Sequence, residues 1–157
     1  MDAKFEDGAE RALSLRAQTT EDLPIIAALV QDAVLPVTEI LWDRKTRRFV
    51  SLINRFRWED KDNAEAENRP FERVQTLLTI SDVTAVCSQG VDRAEKDVIL
   101  SILNMEWLPG EDGTGDLLLT LAGDGAIRVS AETLSIDLRD VTRPYKAVSG
   151  KAPAHPL

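Results

Sequence analysis

Residues 37–58 read VTEILWDRKTRRFVSLINRFRW, and their spacing decides what kind of chain this is. Apolar side chains return at every second position, the period of a strand with one covered face. Val37–Trp42 and Arg48–Trp58 read as two strands joined by the polar turn Asp43-Arg44-Lys45-Thr46. On the second strand Val50, Leu52, Phe56 and Trp58 share one face, and Phe49, Ser51, Ile53, Arg55 and Arg57 share the other.

The same rhythm extends outward. Leu13–Ala17 alternates like a half-buried strand. Thr19, Thr20, Glu21 and Asp22 then supply helix-start chemistry, and Pro24 suits a first turn. Leu23, Ile26, Ala27, Val30 and Val34 form one helical stripe that Pro36 ends, which predicts a helix near residues 20–35. After a polar, mobile loop at 59–69, strands are expected at Arg73–Ile80, Val83–Ser88 and Val98–Leu108. Residues 109–116 read as a loop. Leu117, Leu119 and Leu121 precede a turn at Gly123-Asp124-Gly125, with positive φ expected at Gly125, and Ile127 and Val129 follow it. The phase then shifts, so 130–133 should hold a bulge or turn before Leu134, Ile136 and Leu138; a helix at 132–141 competes with that strand.

These elements predict an α+β domain of mostly antiparallel sheet: a bent sandwich or partly open barrel, pleckstrin-homology-like by analogy, with one main helix. The expected organisation is a disordered N-terminus at 1–11, a single domain at 12–145 and a disordered tail at 146–157. A chain of 157 residues suits one domain, and 43% hydrophobic with 29% charged content is ordinary for a globular one. One cysteine forms no internal disulfide, and no stretch reads as a secretory signal or reaches the ~20 apolar residues of a membrane span. A cytoplasmic location is the expectation. The formal charge of −8, from 27 acids and 19 bases, disfavours general nucleic-acid binding.

Familiar chemistry finds little footing. The one histidine, His155, sits in the Pro-flanked tail, so no Ser-His-Asp or Cys-His arrangement has a rigid base. Cys87 runs in phase with Val83 and Ala85 and reads as a small buried hydrophobe. Gly113-Thr114-Gly115 and Gly123-Asp124-Gly125 complete no phosphate-binding motif, and Asp112, Thr114 and Asp116 lack the distal glutamate of a calcium loop. Glu39, Glu59, Glu106, Glu132, Asp137 and Asp140 read as exposed strand-face acids. No catalytic residue, metal ligand or cofactor is assigned.

The distinctive stretch is the hairpin itself. Arg44, Lys45, Arg47, Arg48, Arg55 and Arg57 are interleaved with Trp42, Phe49, Phe56 and Trp58 in a net-acidic chain. Arg47, Arg48, Arg55, Arg57 and Trp58 are the candidate residues for a partner or anion. Arg55 and Arg57, two residues apart on one face, would stand about 7 Å apart and clamp an acidic group. The competing arrangement is a solvated hairpin whose arginines pair with nearby acids while Phe56 and Trp58 enter the core. The favoured function is a non-enzymatic binding or adaptor protein acting through this hairpin or a sheet edge, with a protein or small anion as partner. A small carboxylate/arginine enzyme is the alternative, and RNA binding through Arg47–Trp58 a further one.

Three segments carry a resemblance: Glu21–Val34 (EDLPIIAALVQDAV), Arg47–Glu59 (RRFVSLINRFRWE) and Leu119–Val141 (LTLAGDGAIRVSAETLSIDLRDV). Together they resemble the bacterial family called domain of unknown function 2948, over roughly residues 13–145. The resemblance implies a common architecture and brings no enzyme assignment and no catalytic residue.

Overall fold

A computed structural model describes residues 12–92, 94–148 and 151–153. The readings for residues 1–11 and for His155 lie outside them. In chain order the elements are β1 (Ser14–Ala17), α1 (Leu23–Val30), β2 (Val34–Pro36), β3 (Ile40–Asp43), β4 (Arg48–Phe56), α2 (Lys61–Ala66), β5 (Glu72–Ile80), β6 (Val83–Gln89), β7 (Ile99–Pro109), β8 (Gly115–Leu121), β9 (Ala126–Ala131), β10 (Ile136–Asp140) and β11 (Tyr145–Lys146).

The strands form one sheet in the order β1-β10-β5-β4-β2-β7-β8-β9-β6, with β3 paired to β4 and β11 to β5. Every pairing among the described residues is antiparallel. The class is α+β with a mostly antiparallel sheet, as expected. Phe49, Ile53, Leu78 and Leu138 from one half of the sheet share a single core with Leu117, Leu119, Ile127 and Val129 from the other. The sheet must therefore fold over on itself, because two faces can share one apolar core only by facing each other. Leu23, Ile26 and Val30 of α1 are buried in the same cluster.

Several boundaries differ from the sequence reading. The helix stops at Val30 rather than running to residue 35, because Asp32 adopts φ 64° and Val34–Pro36 pairs with β7 and β4. Hydrogen bonds Asp32 N to Ile102 O (2.7 Å) and Ile102 N to Ala33 O (2.9 Å) hold that turn onto β7. Sheet pairing thus overrides helical periodicity. Val37–Glu39 is a 3₁₀ turn, so the first hairpin strand begins at Ile40.

The segment 59–69 is folded rather than a bare loop. A 3₁₀ turn at Trp58–Asp60 leads into α2, whose Ala64 is fully buried. Arg69 N donates to Ala64 O (2.8 Å), and the Arg69 guanidinium grips both Asp60 carboxylate oxygens at 3.1 Å. Only a small side chain marks the buried side of α2, so no apolar stripe announced it. The tail is ordered further than expected: β11 pairs with β5, and Ala147 is buried with its N–H on Phe71 O.

Residues 136–140 form the strand and not the competing helix. The turn after Leu121 takes its positive φ at Gly123 (80°) and Asp124 (67°), one position earlier than expected, and Leu121 N donates to Gly125 O (2.8 Å), which leaves Ala122–Asp124 as the loop.

Candidate functional site

The structure divides the basic hairpin into two regions with different chemistry. At the far end of β4, the face that carries Phe49 and Ile53 is the covered one, and Arg55 continues it. Arg55 is fully buried. Its guanidinium donates to both Glu59 carboxylate oxygens at 2.8 Å, to Asp140 Oδ1 at 3.0 Å and, through Nε, to Thr76 Oγ1 at 3.1 Å. The Thr76 hydroxyl passes its own proton to Asp140 Oδ1 (2.8 Å), and Leu13 N donates to Asp140 Oδ2 (3.0 Å). Every strong donor and acceptor here is matched from within, as a buried ion pair requires.

Arg57 lies past the end of the strand, where the chain turns into the 3₁₀ segment. It is buried too, donates to Glu72 and stands 3.6 Å from Asp60. The two guanidiniums therefore do not form an exposed pair on one strand face. Trp58 also leaves the strand: its indole N–H donates to Gln31 O (3.0 Å), and its ring meets Phe56 edge-on at 4.7 Å. This end of the hairpin locks α1, β4, β5 and β10 together.

Burial alone would lower the Arg55 pKa, but the hydrogen bonds and charge of Glu59, with Asp140 behind it, push it up. Burial likewise pushes Glu59 up, and the Arg55 guanidinium overrides that, holding the Glu59 carboxyl below its usual range. Nearby, Arg73 rests its Nη2 on Asn54 O (3.0 Å), and Asn54 Nδ2 donates to the Tyr145 hydroxyl (2.6 Å). Burial lowers the Arg73 pKa and raises that of Tyr145. The cluster of Arg73, Asn54 and Tyr145 escaped sequence reading, because β11 is too short to show a period.

The other region is the β3–β4 turn. Asp43 Oδ1 accepts the amide protons of Lys45 (3.1 Å) and Thr46 (3.5 Å), which fixes the turn. The Thr46 side chain is the largest influence holding the Asp43 carboxyl below its usual range. Arg44, Lys45 and Arg48 are exposed, while Arg47 is half-buried at φ 59° and ion-paired to Glu132. Four basic side chains stand there against the carboxylates of Asp43 and Glu132.

Beside this turn runs a groove. A cavity of about 490 Å³ is walled by Trp42, Arg44 and Arg47 on one side and by Val83–Val86 on the other. A second, of about 360 Å³, shares Thr84 and Glu132 with it and continues past Leu108–Gly110. The second touches β6 only at Thr84, whereas the first lies along Val83–Val86 of β6, the last strand of the sheet path. Its register against β9 shifts between Val83 and Ala85, and beyond that point its side chains are largely exposed. Cys87 is accordingly exposed rather than buried: an edge strand has only one neighbour, and the shift carries it off the core.

Of the six carboxylates singled out from the sequence, Glu39, Glu106 and Glu132 are exposed and Asp137 pairs with Arg16. Glu59 and Asp140 are the exceptions, drawn together around Arg55. The Asp116 carboxylate accepts from Ser130 Oγ at 2.7 Å, which ties β8 to β9 rather than shaping a calcium loop. Among the described residues no three His, Cys, Asp or Glu side chains cluster to hold a metal ion. No described helix is long and apolar enough to cross a membrane.

Fold and site together define a folded-over antiparallel β domain, locked at one end by a buried arginine–carboxylate network and open along a strand edge at the other. The family described as "Protein of unknown function (DUF2948)" matches residues 13–155, and the chain belongs to it. No curated protein and no solved structure matches the chain.

Proposed function

We propose that this domain is a non-enzymatic binding module that takes an extended, acidic segment of a partner protein along β6, beside the β3–β4 turn. The observation that carries the reading is the juxtaposition of an uncharged edge strand, Val83–Gln89, with a groove walled by Trp42, Arg44 and Arg47. An added strand draws affinity from main-chain hydrogen bonds and selectivity from pockets for alternate side chains. The exposed cations Arg44, Lys45 and Arg48 favour acidic flanking residues and raise the encounter rate. Arg55 and Arg57 contribute rigidity to the hairpin that presents this turn, not contacts.

The test is an amide-resolved titration of the labelled protein with an array of peptides of about nine residues, long enough to cover the strand. Each alternates Asp or Glu with Val, Ile or Thr. Shift changes confined to residues 43–48 and 83–89, and lost on Arg44→Glu/Arg48→Glu, are the expected result. An array in which no peptide moves those amides refutes the proposal.

A further inference from the structure

We infer that the partner segment taken by β6 is β6 of a second copy of this chain, paired antiparallel about a two-fold axis. The inference rests on the edge-binding reading above and narrows its occupant from an acidic strand to an uncharged one followed by an acidic flank, Asp92, Glu95 and Asp97.

Protected edges carry charge, proline or very short strands. The opposite terminal strand, β1, is protected in this way: it has four residues and presents Arg16. By contrast β6 has seven residues, VTAVCSQ, with neither charge nor proline. Among the described residues, the backbone of Thr84–Gln89 is paired only across to β9, while Val83 N donates to Arg47 O (2.9 Å). A row of unpaired amides and carbonyls thus faces outward along most of the strand.

Charge along that edge is polarised. At the Val83 end the turn cations Arg44, Lys45, Arg47 and Arg48 outnumber the carboxylates of Asp43, Asp82 and Glu132 by one. At the Gln89 end the chain continues into exposed Asp92, Glu95 and Asp97, set in sequence against Arg93 and Lys96 and in space against exposed Arg128 opposite Cys87. Exposed Asp124 joins the acids, because the β8–β9 turn packs against Gly90, leaving only 3.2 Å from a Cβ there to Asp124 O. The two ends are separated by roughly 20 Å of strand, about twice the screening length at physiological salt. Antiparallel pairing of two copies sets each basic turn against the other copy's acidic end; parallel pairing would set like against like. The arrangement is self-complementary, as a two-fold interface requires.

The register of fullest overlap places the axis at Val86. Ala85 of one copy then faces Cys87 of the other, and the two exposed Cys87 side chains become diagonal neighbours about 7–8 Å apart. That spacing fits a short bis-maleimide.

The experiment uses the full chain, with sedimentation equilibrium from low to several hundred micromolar and bis-maleimide cross-linking. Expected are a concentration-dependent dimer, a covalent dimer that Cys87→Ser abolishes, and a monomer with an unchanged circular dichroism spectrum for Ala85→Lys. Arg44→Glu/Arg48→Glu should weaken dimerisation by about tenfold or more, since it removes attraction at both ends. A wild-type chain that stays monomeric throughout overturns the inference, and if it still binds acidic strand peptides along β6 the edge-binding reading survives alone. A dimer indifferent to Ala85→Lys and not cross-linked through Cys87 also overturns it, since the interface then lies elsewhere.

Discussion

Replacing Arg55 with methionine should destabilise the domain by about 3–5 kcal/mol, the range for removing one partner of a buried ion pair. Methionine fills most of the aliphatic volume, so the loss is electrostatic and not a cavity. What remains is the Asp140 carboxylate, with its side chain 4% exposed and left to Thr76 and the Leu13 amide. Glu59 is 28% exposed and can turn toward water, so Asp140 carries most of the penalty. Against a typical stability of about 5–15 kcal/mol, the loss is large enough to read directly by urea unfolding. The triple variant Arg55→Met/Glu59→Gln/Asp140→Asn removes the charges together and should recover most of the loss. A single Arg55→Met variant that loses less than about 1 kcal/mol, within the range of exposed ion pairs, would refute the reasoning.

Two further outcomes follow from the same geometry. The folded Glu59 pKa lies below its unfolded value, so its contribution is present above the unfolded pKa and fades as pH falls through the folded one. The stability difference between wild type and Glu59→Gln should therefore be level above about pH 5 and shrink below about pH 4, followed by urea midpoints across that range; a difference that grows on acidification contradicts the assignment. At Gly115, a Cβ would stand 2.5 Å from the Trp107 ring and 2.7 Å from the backbone oxygen of Leu108, so Gly115→Ala should cost about 1–3 kcal/mol and shift Trp107 fluorescence. Unchanged stability and emission would show that the β7–β8 pair can yield there.

Period-two spacing was enough to place β4, β5 and β7–β10 and to set the class, because alternation is a local consequence of one covered sheet face. It also held an unread signal. Arg55 continues the covered phase of Phe49 and Ile53, and Asp140 that of Ile136 and Leu138. Charges in a core phase imply a buried pair, yet each lies 85 residues from the other in sequence, so neither names its partner. Sequence alone placed both among surface groups.

What the amino-acid order determined was therefore everything governed by neighbours a few positions away: the strand period, the tight turns, the buried face of α1 and the basic turn at 43–48. Tertiary structure alone decided where α1 stops, that 61–66 is helical, which arginines face water and that β6 ends the sheet. Those outcomes depend on pairing between distant segments, and the energy of a strand or ion pair is fixed by the partner across from it, which local spacing does not encode.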